Sequence, residues 1–247
     1  MGSVSRHSAA AMNCDRLAPY YETLERLAFG SYLEQMRFAF LGEVDQAERA
    51  ILCGDGDGRF LAALLRANSR VRVDFVDLSG RMIEIAERRV VKMGPSFRER
   101  VRFFARDVRE FQPQAAGYDL IGTHFFLDCF SQAESAEVVA RVASWGAPGA
   151  QWMVSEFREA ETPLGRVWTR AVIRGLYAAF RVSTGLRVTR LPNYAAALAQ
   201  QGYSLRAEKN KLAGLLQSSL WESRAQRSVP LRDGLAAKDS EPVTIGT

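Results

Sequence analysis

The sequence predicts a doubly wound α/β protein, built on a mostly parallel seven-stranded sheet that ends in an antiparallel hairpin. Three observations carry that expectation. Short apolar runs alternate with helical patterns from about residue 50 to residue 157, which is the order of consecutive βαβ units. The first run, Ala50-Ile51-Leu52-Cys53, passes directly into Gly54-Asp55-Gly56-Asp57-Gly58 and then into a helical pattern from Phe60. The last two strand candidates, 203–208 and 215–221, are six residues apart, too close for a parallel crossover, so they pair as a hairpin.

Composition narrows the class. The chain has 247 residues, 47% of them hydrophobic and 25% charged, enough apolar material for a sizeable core. Its net charge of +5 permits attraction to nucleic acid, anionic lipid or an acidic small molecule, and chooses none of them. Cys14, Cys53 and Cys129 are odd in number and lack metal-ligand spacing, which argues against a disulfide framework or a zinc cluster. No apolar run reaches the ~18 residues of a membrane span and no signal-peptide pattern opens the chain. The expectation is a cytoplasmic protein with a flexible segment at 1–11, one domain over 12–222, and a flexible tail at 223–247.

Taken in order, residues 12–45 read as an N-terminal helical layer. Its tyrosines Tyr20, Tyr21 and Tyr32 have two readings, as core-facing side chains or as aromatics that close over a ligand. The three glycines after the first strand also have two readings. They form a plain turn, or a loop that lets a ligand approach the backbone at a helix N-terminus. The second strand, 71–76, ends in Asp77-Leu78-Ser79, and Asp77 lies nineteen residues after Gly58. An acid at that distance stands where it can accept both hydrogen bonds of a ribose diol, although an Asp there also suits a helix cap.

A third strand at 101–105 leads to Arg106-Asp107-Val108, and a fourth at 118–123 leads to His124-Phe125-Phe126-Leu127-Asp128. A helix through Val138 and Val142, a Gly146-Ala147-Pro148-Gly149 turn and a fifth strand at 151–157 follow. The glycine loop, Asp77, Asp107, and His124 with Asp128 therefore all fall at carboxyl ends of strands, the edge where such sheets bind ligands.

These motifs resemble the class I S-adenosylmethionine-dependent methyltransferases of small molecules, over residues 50–157, with a family-like tail to Glu222. The resemblance implies a Rossmann-like fold and S-adenosyl-L-methionine as cofactor. It implies that Gly54, Gly56 and Gly58 face the methionine part and that Asp77 holds the ribose. Leu78 and Met82 would then flank the adenine, and Asp107 would accept the adenine amino group beside the Val108 N–H. The acids of the loop, Asp55 above all, suit a cationic sulfonium better than a phosphate. One departure stands out: the family places an acid two residues before the first glycine, where this chain has Leu52. Asp55 is expected to supply part of that charge.

For the chemistry, His124 and Asp128 are the candidate proton acceptors, with Glu156 as an alternative, and His124 also lies within reach of the cofactor loop. A histidine simply satisfied at a strand end is the other reading of His124. The aromatics Phe125, Phe126 and Phe130, with Trp168 and Tyr177, suggest an apolar acceptor or a lid. Residues 158–190 read as a helical cap whose Arg166, Arg170, Arg174 and Arg181 fall within an arc of roughly 80°. That stripe is a solvated face, part of a lid, or a surface for peripheral contact with an anionic membrane. The expected function is methyl transfer to a small hydrophobic acceptor at oxygen or carbon, with no nucleic acid as partner and no metal. The alternatives are a non-catalytic S-adenosylmethionine-binding or regulatory protein of the same fold and, on charge alone, a nucleic-acid methyltransferase.

Overall fold

The computed structural model describes residues 29–114, 117–184, 188 and 190–224. Tyr20, Tyr21, the expected helices before Phe29 and the tail from residue 225 lie outside the described residues.

The strands are β1 (Arg49–Cys53), β2 (Arg72–Asp77), β3 (Val101–Ala105), β4 (Tyr118–His124), β5 (Gly146–Phe157), β6 (Tyr203–Lys211) and β7 (Leu216–Ser223). They form one sheet in the order β3-β2-β1-β4-β5-β7-β6. The first five run parallel, and β7 inserts antiparallel between β5 and β6. The helices are α1 (Tyr32–Arg37), α2 (Arg59–Ala67), α3 (Gly80–Val91), α4 (Pro95–Arg98), α5 (Gln132–Ala143), α6 (Pro163–Thr184) and α7 (Tyr194–Gln200).

The period of two along β1 explains why both faces of the sheet are covered. Ala50 and Leu52 join one core with Phe60, Leu61 and Leu64 of α2 and Ile83 of α3. Ile51 and Cys53 join the other, with Val138, Val139 and Val142 of α5 and Leu198 of α7. Each fully buried large aliphatic side chain of this kind contributes about 1.5–3 kcal/mol. The order in which strands are laid down reverses between β1 and β4, because the connection after β1 packs on one face and the one after β4 on the other. A crevice at the carboxyl ends of β1 and β4 follows from that reversal.

Local signals set the helix starts. Ser79 accepts a hydrogen bond from the Met82 N–H and caps α3. Ser131 and Glu134 form a reciprocal capping box on α5.

Four boundaries differ from the sequence reading. Of the second N-terminal helical run, Tyr32–Arg37 is helical and a 3-10 turn follows at Leu41–Glu43. The break lets Phe38 stack on Phe60 and buries Phe40 in the core. The Gly146–Gly149 stretch, read as a turn, belongs to β5. Tyr118 pairs with Gly146 and the register resumes at Leu120 with Gln151, so the intervening residues bulge outward through Gly149 at φ +80°. The cap helix begins at Pro163 rather than at 158. Ser223, assigned to the tail, closes β7.

Candidate functional site

The three loop glycines all adopt the left-handed conformation, at φ +67°, +64° and +74° for Gly54, Gly56 and Gly58. Two of them are also fixed by space. A Cβ on Gly54 would lie 2.0 Å from the Phe126 ring, and one on Gly58 would lie 2.7 Å from the Ala86 Cβ of α3. The loop is therefore pressed between the segment after β4 and the helix after β2. Met82 reaches over Gly56, its sulfur 3.9 Å from where a Cβ would stand.

Asp77, half-buried at the end of β2, is drawn against this loop. Its carboxylate accepts the Gly56 N–H at 3.1 Å through one oxygen and the Ser79 N–H at 2.9 Å through the other. Beside it Leu78 is 44% exposed, an apolar lip on the crevice. At the end of β3, Asp107 is held by Arg109, whose side chain donates at 2.6–3.1 Å and whose N–H donates at 2.9 Å. Burial works to raise the Asp107 pKa, but those bonds outweigh it and leave the carboxyl below its ordinary value. Arg109 also pairs with Glu134, tying the end of β3 to α5. Val108 is buried next to Asp107.

The loop acids do not face the crevice as the sequence reading expected. Asp57 is buried and bound by Arg59 at 3.0 Å and Arg89 at 3.1 Å, so its charge is consumed within the fold. Asp55 is 3% exposed and turned beneath the loop, where one oxygen accepts the Leu61 N–H and the other has no hydrogen-bond partner among the described residues. Burial raises its pKa to about 7, against the opposing pull of Arg37. Leu52 is fully buried, packed toward Gly122 in the α2 core. An acid at this position would enter that core.

His124 is 2% exposed and lies against the Phe60 ring, with centroids 4.3 Å apart. The Ser155 hydroxyl contacts its Nδ1 at 2.9 Å and donates to the Met36 carbonyl, which assigns the proton to Nδ1. Nε2 then has no hydrogen-bond partner among the described residues. Burial, reinforced by Arg37, lowers the His124 pKa to about 3. An imidazole so depressed and enclosed is a weak proton acceptor, and its place is inside the core beneath the loop.

A different acidic pair stands at the ends of β4 and β5. Glu156 accepts the N–H groups of Phe126 at 3.1 Å and Leu127 at 2.7 Å through one oxygen, while its other oxygen has no hydrogen-bond partner assigned among the described residues. Asp128 lies beside it, and its pKa is raised to about 6 by burial, with Cys129 and Glu156 interactions opposing. Burial and the Asp128 charge push Glu156 well above the usual carboxylate range. Two neighbouring carboxyls in this setting hold a proton at neutral pH.

The aromatic candidates separate. Tyr177 is buried on the inner face of α6 and donates to the Asp128 carbonyl at 3.1 Å. Phe125 sits at φ +54° between Phe157 and Arg37, its ring 5.2 Å from the guanidinium carbon. Trp168 is 46% exposed on the outer face of α6 and does not join them. Phe126 packs on Gly54, and Arg37, buried at the end of α1, was not singled out from the sequence. A lone arginine in a short helix carries no motif, so only its placement marks it. Among the described residues no group of three or more His, Cys, Asp or Glu could hold a metal ion.

Residues 53–151 match a family model described as a methyltransferase domain. Polyamine aminopropyltransferase 2 of Bacillus anthracis is 28% identical over 141 residues, covering 54% of this chain and 39% of that protein. An O-methyltransferase family protein from Burkholderia thailandensis shares the fold at a TM-score of 0.63 and 18% identity, over 85% of this chain and 60% of that one. The N-methyltransferase NodS from Bradyrhizobium japonicum WM9, in complex with S-adenosyl-L-homocysteine, matches at a TM-score of 0.57 and 15% identity, over 82% of this chain and 97% of that one. The chain thus spans 39% and 60% of the first two proteins' lengths, and the structural likenesses are likenesses of fold.

Proposed function

We propose that the chain, whose residues 53–151 match a methyltransferase-domain model, is a class I S-adenosylmethionine-dependent methyltransferase that transfers a methyl group to a small, hydrophobic acceptor at oxygen or carbon. One observation carries the reading: the Asp77 carboxylate lies against the glycine loop at the point where the strand order reverses, anchored by the Gly56 and Ser79 N–H groups. An acid so placed is preorganised for a ribose diol. The surroundings fit the rest of the cofactor. Leu78 and Met82 offer apolar contact for the adenine, with Asp107 and the Val108 N–H as its polar partners. The left-handed glycines open the backbone to the methionine end.

When bound, the cofactor supplies a methyl group already activated by a sulfonium, so the protein's tasks are to position the acceptor, exclude water and accept a proton. We assign the proton to Asp128 rather than to His124. A carboxyl with a pKa of about 6 is ionised yet basic enough to serve near neutral pH, whereas an enclosed imidazole at about 3 is not. Glu156 keeps its proton and orients Asp128. Phe125, Phe126 and Tyr177 give the acceptor side an apolar wall, and that environment supports a hydrophobic acceptor.

The similarity to an aminopropyltransferase favours one second reading, transfer of an aminopropyl chain to an amine. Arg37 argues for the first. Its buried charge acts on both Asp55 and His124 below the loop, which suits the carboxylate of a methionyl group, and an aminopropyl chain has none.

Titration calorimetry with S-adenosylmethionine and S-adenosylhomocysteine tests the assignment. Heat with both is expected, and Asp77→Ala should weaken binding by about a hundredfold or more, since two hydrogen bonds to a charged group are lost. Absence of heat with either ligand would overturn the reading. Binding without turnover of labelled cofactor over a metabolite extract would instead identify a binding protein.

A further inference from the structure

We propose that the outer face of α6 seats on an anionic lipid surface. The helix runs 22 residues and carries four arginines and no acidic residue. Its inner face already meets its need for burial, with Thr169, Ile173 and Tyr177 packed into the molecule. Yet α6 has a second apolar face. Leu164 is 83% exposed, Val167 69% and Trp168 46%, and their spacing of three and four residues places them in one stripe on the side opposite Ile173 and Tyr177. Ala171, Gly175 and Ala178 continue that stripe and are also exposed. At ~100° per residue, Arg174 falls about 20° from Val167, so the basic row flanks the apolar stripe along its length. Arg170 pairs with Glu159 at 2.8 Å, while Arg174 and Arg181 have no ion-pair partner among the described residues.

Charge decides among the surfaces that could cover this face. A second copy would bury the apolar stripe against its twin but bring two arginine rows together with no acid on either helix to meet them. A nucleic acid would satisfy the arginines and leave Leu164, Val167 and Trp168 in water. An anionic bilayer offers headgroups to the guanidinium groups and an interfacial zone to the indole and aliphatic side chains at the same time. No helix among the described residues is long and apolar enough to cross a membrane, so α6 would lie on the surface. Through Tyr177 the same helix touches the backbone of Asp128, which places the docked face directly behind the acceptor side of the site.

The proposal does not depend on methyl transfer, and its test is run on the full chain without cofactor. Sedimentation with vesicles of phosphatidylcholine containing phosphatidylglycerol should carry the protein down, and vesicles of phosphatidylcholine alone should not. Added salt should weaken the binding, and Arg174→Glu with Arg181→Glu should reduce it by more than tenfold, since each basic residue near such a surface contributes about fivefold. Trp168→Ser should reduce it with the arginines intact. Unchanged far-UV circular dichroism and thermal denaturation would show that the variants are folded. Three results would overturn the proposal: no sedimentation with anionic vesicles, equal sedimentation with neutral ones, or a dimer in sedimentation velocity that Trp168→Ser dissolves, which would assign the face to a second copy.

Discussion

Acidic side chains at the two halves of the sheet's carboxyl edge are treated in opposite ways. On the half proposed for the cofactor, Asp77 meets the Gly56 and Ser79 N–H groups, Asp57 two arginines, and Asp107 the Nε and one terminal nitrogen of Arg109. On the half proposed for the acceptor, Asp128 and Glu156 face each other with no arginine or lysine bound to either carboxyl among the described residues. A carboxylate met by donors fixes geometry, and Asp107 is correspondingly held below its ordinary pKa. A buried carboxyl without a cation takes up a proton in the neutral range and can exchange it there. On the proposed function, the contrast divides the edge into a half that holds the cofactor and a half that does proton chemistry. Asp55 stands on the border, inside the loop yet only half-satisfied.

The largest effect is expected where the contrast is broken at its reactive end. Asp128→Asn should lower kcat by about 10²–10⁴-fold, the range of a lost proton acceptor, with cofactor affinity retained. In the unaltered protein kcat/KM should rise as pH increases through about 6, because the ionised Asp128 is the active form, and the variant should lose that limb. A flat wild-type profile would remove Asp128 from the role.

Next in size comes the holding half. Gly58→Ala places a methyl group 2.7 Å from Ala86 at a left-handed position, and about 2–4 kcal/mol of stability should be lost through strain and overpacking together. Urea denaturation would measure it. A loss under about 0.5 kcal/mol would mean that the loop is not clamped against α3.

The smallest effect sharpens the border. Burial raises the Asp55 pKa from 3.8 to about 7, so the folded state binds its proton more tightly than the unfolded state. Stability from this group is therefore present below pH 3.8 and declines as pH rises toward 7, at no more than about 1.4 kcal/mol per pH unit. Asp55→Asn should flatten that decline in denaturation curves taken across the window. An unchanged slope would show that Asp55 is ionised and paired in the folded protein.

Legibility followed the same division. The gathering of the glycine loop, Asp77 and Asp107 at one edge could be read from the chain because its signals are close in sequence: three glycines, an acid nineteen residues on, another after the third strand. Strand alternation placed them at one edge without knowledge of a single side-chain contact. What could not be read was direction. Asp55 and Asp57 look alike in the sequence, but α2 and α3 turn one under the loop and bind the other to Arg59 and Arg89. His124 ends β4 as expected, yet it falls on the α2 face with Gly122 and Leu52 and is buried. Arg37 reaches the loop from a helix that nothing in the sequence links to it.

By itself the sequence determined the succession of strands and helices along the chain, the hairpin at the end and the residues that gather at the carboxyl edge. It could do so because periodicity, glycine spacing and short connections are local properties. The tertiary structure alone decided which of those residues are paired and which are left to titrate. It also decided that α6 buries one apolar face and exposes another. Those outcomes depend on what packs against each side chain from distant parts of the chain, and burial without a partner is what changes a carboxyl from an anchor into an acid.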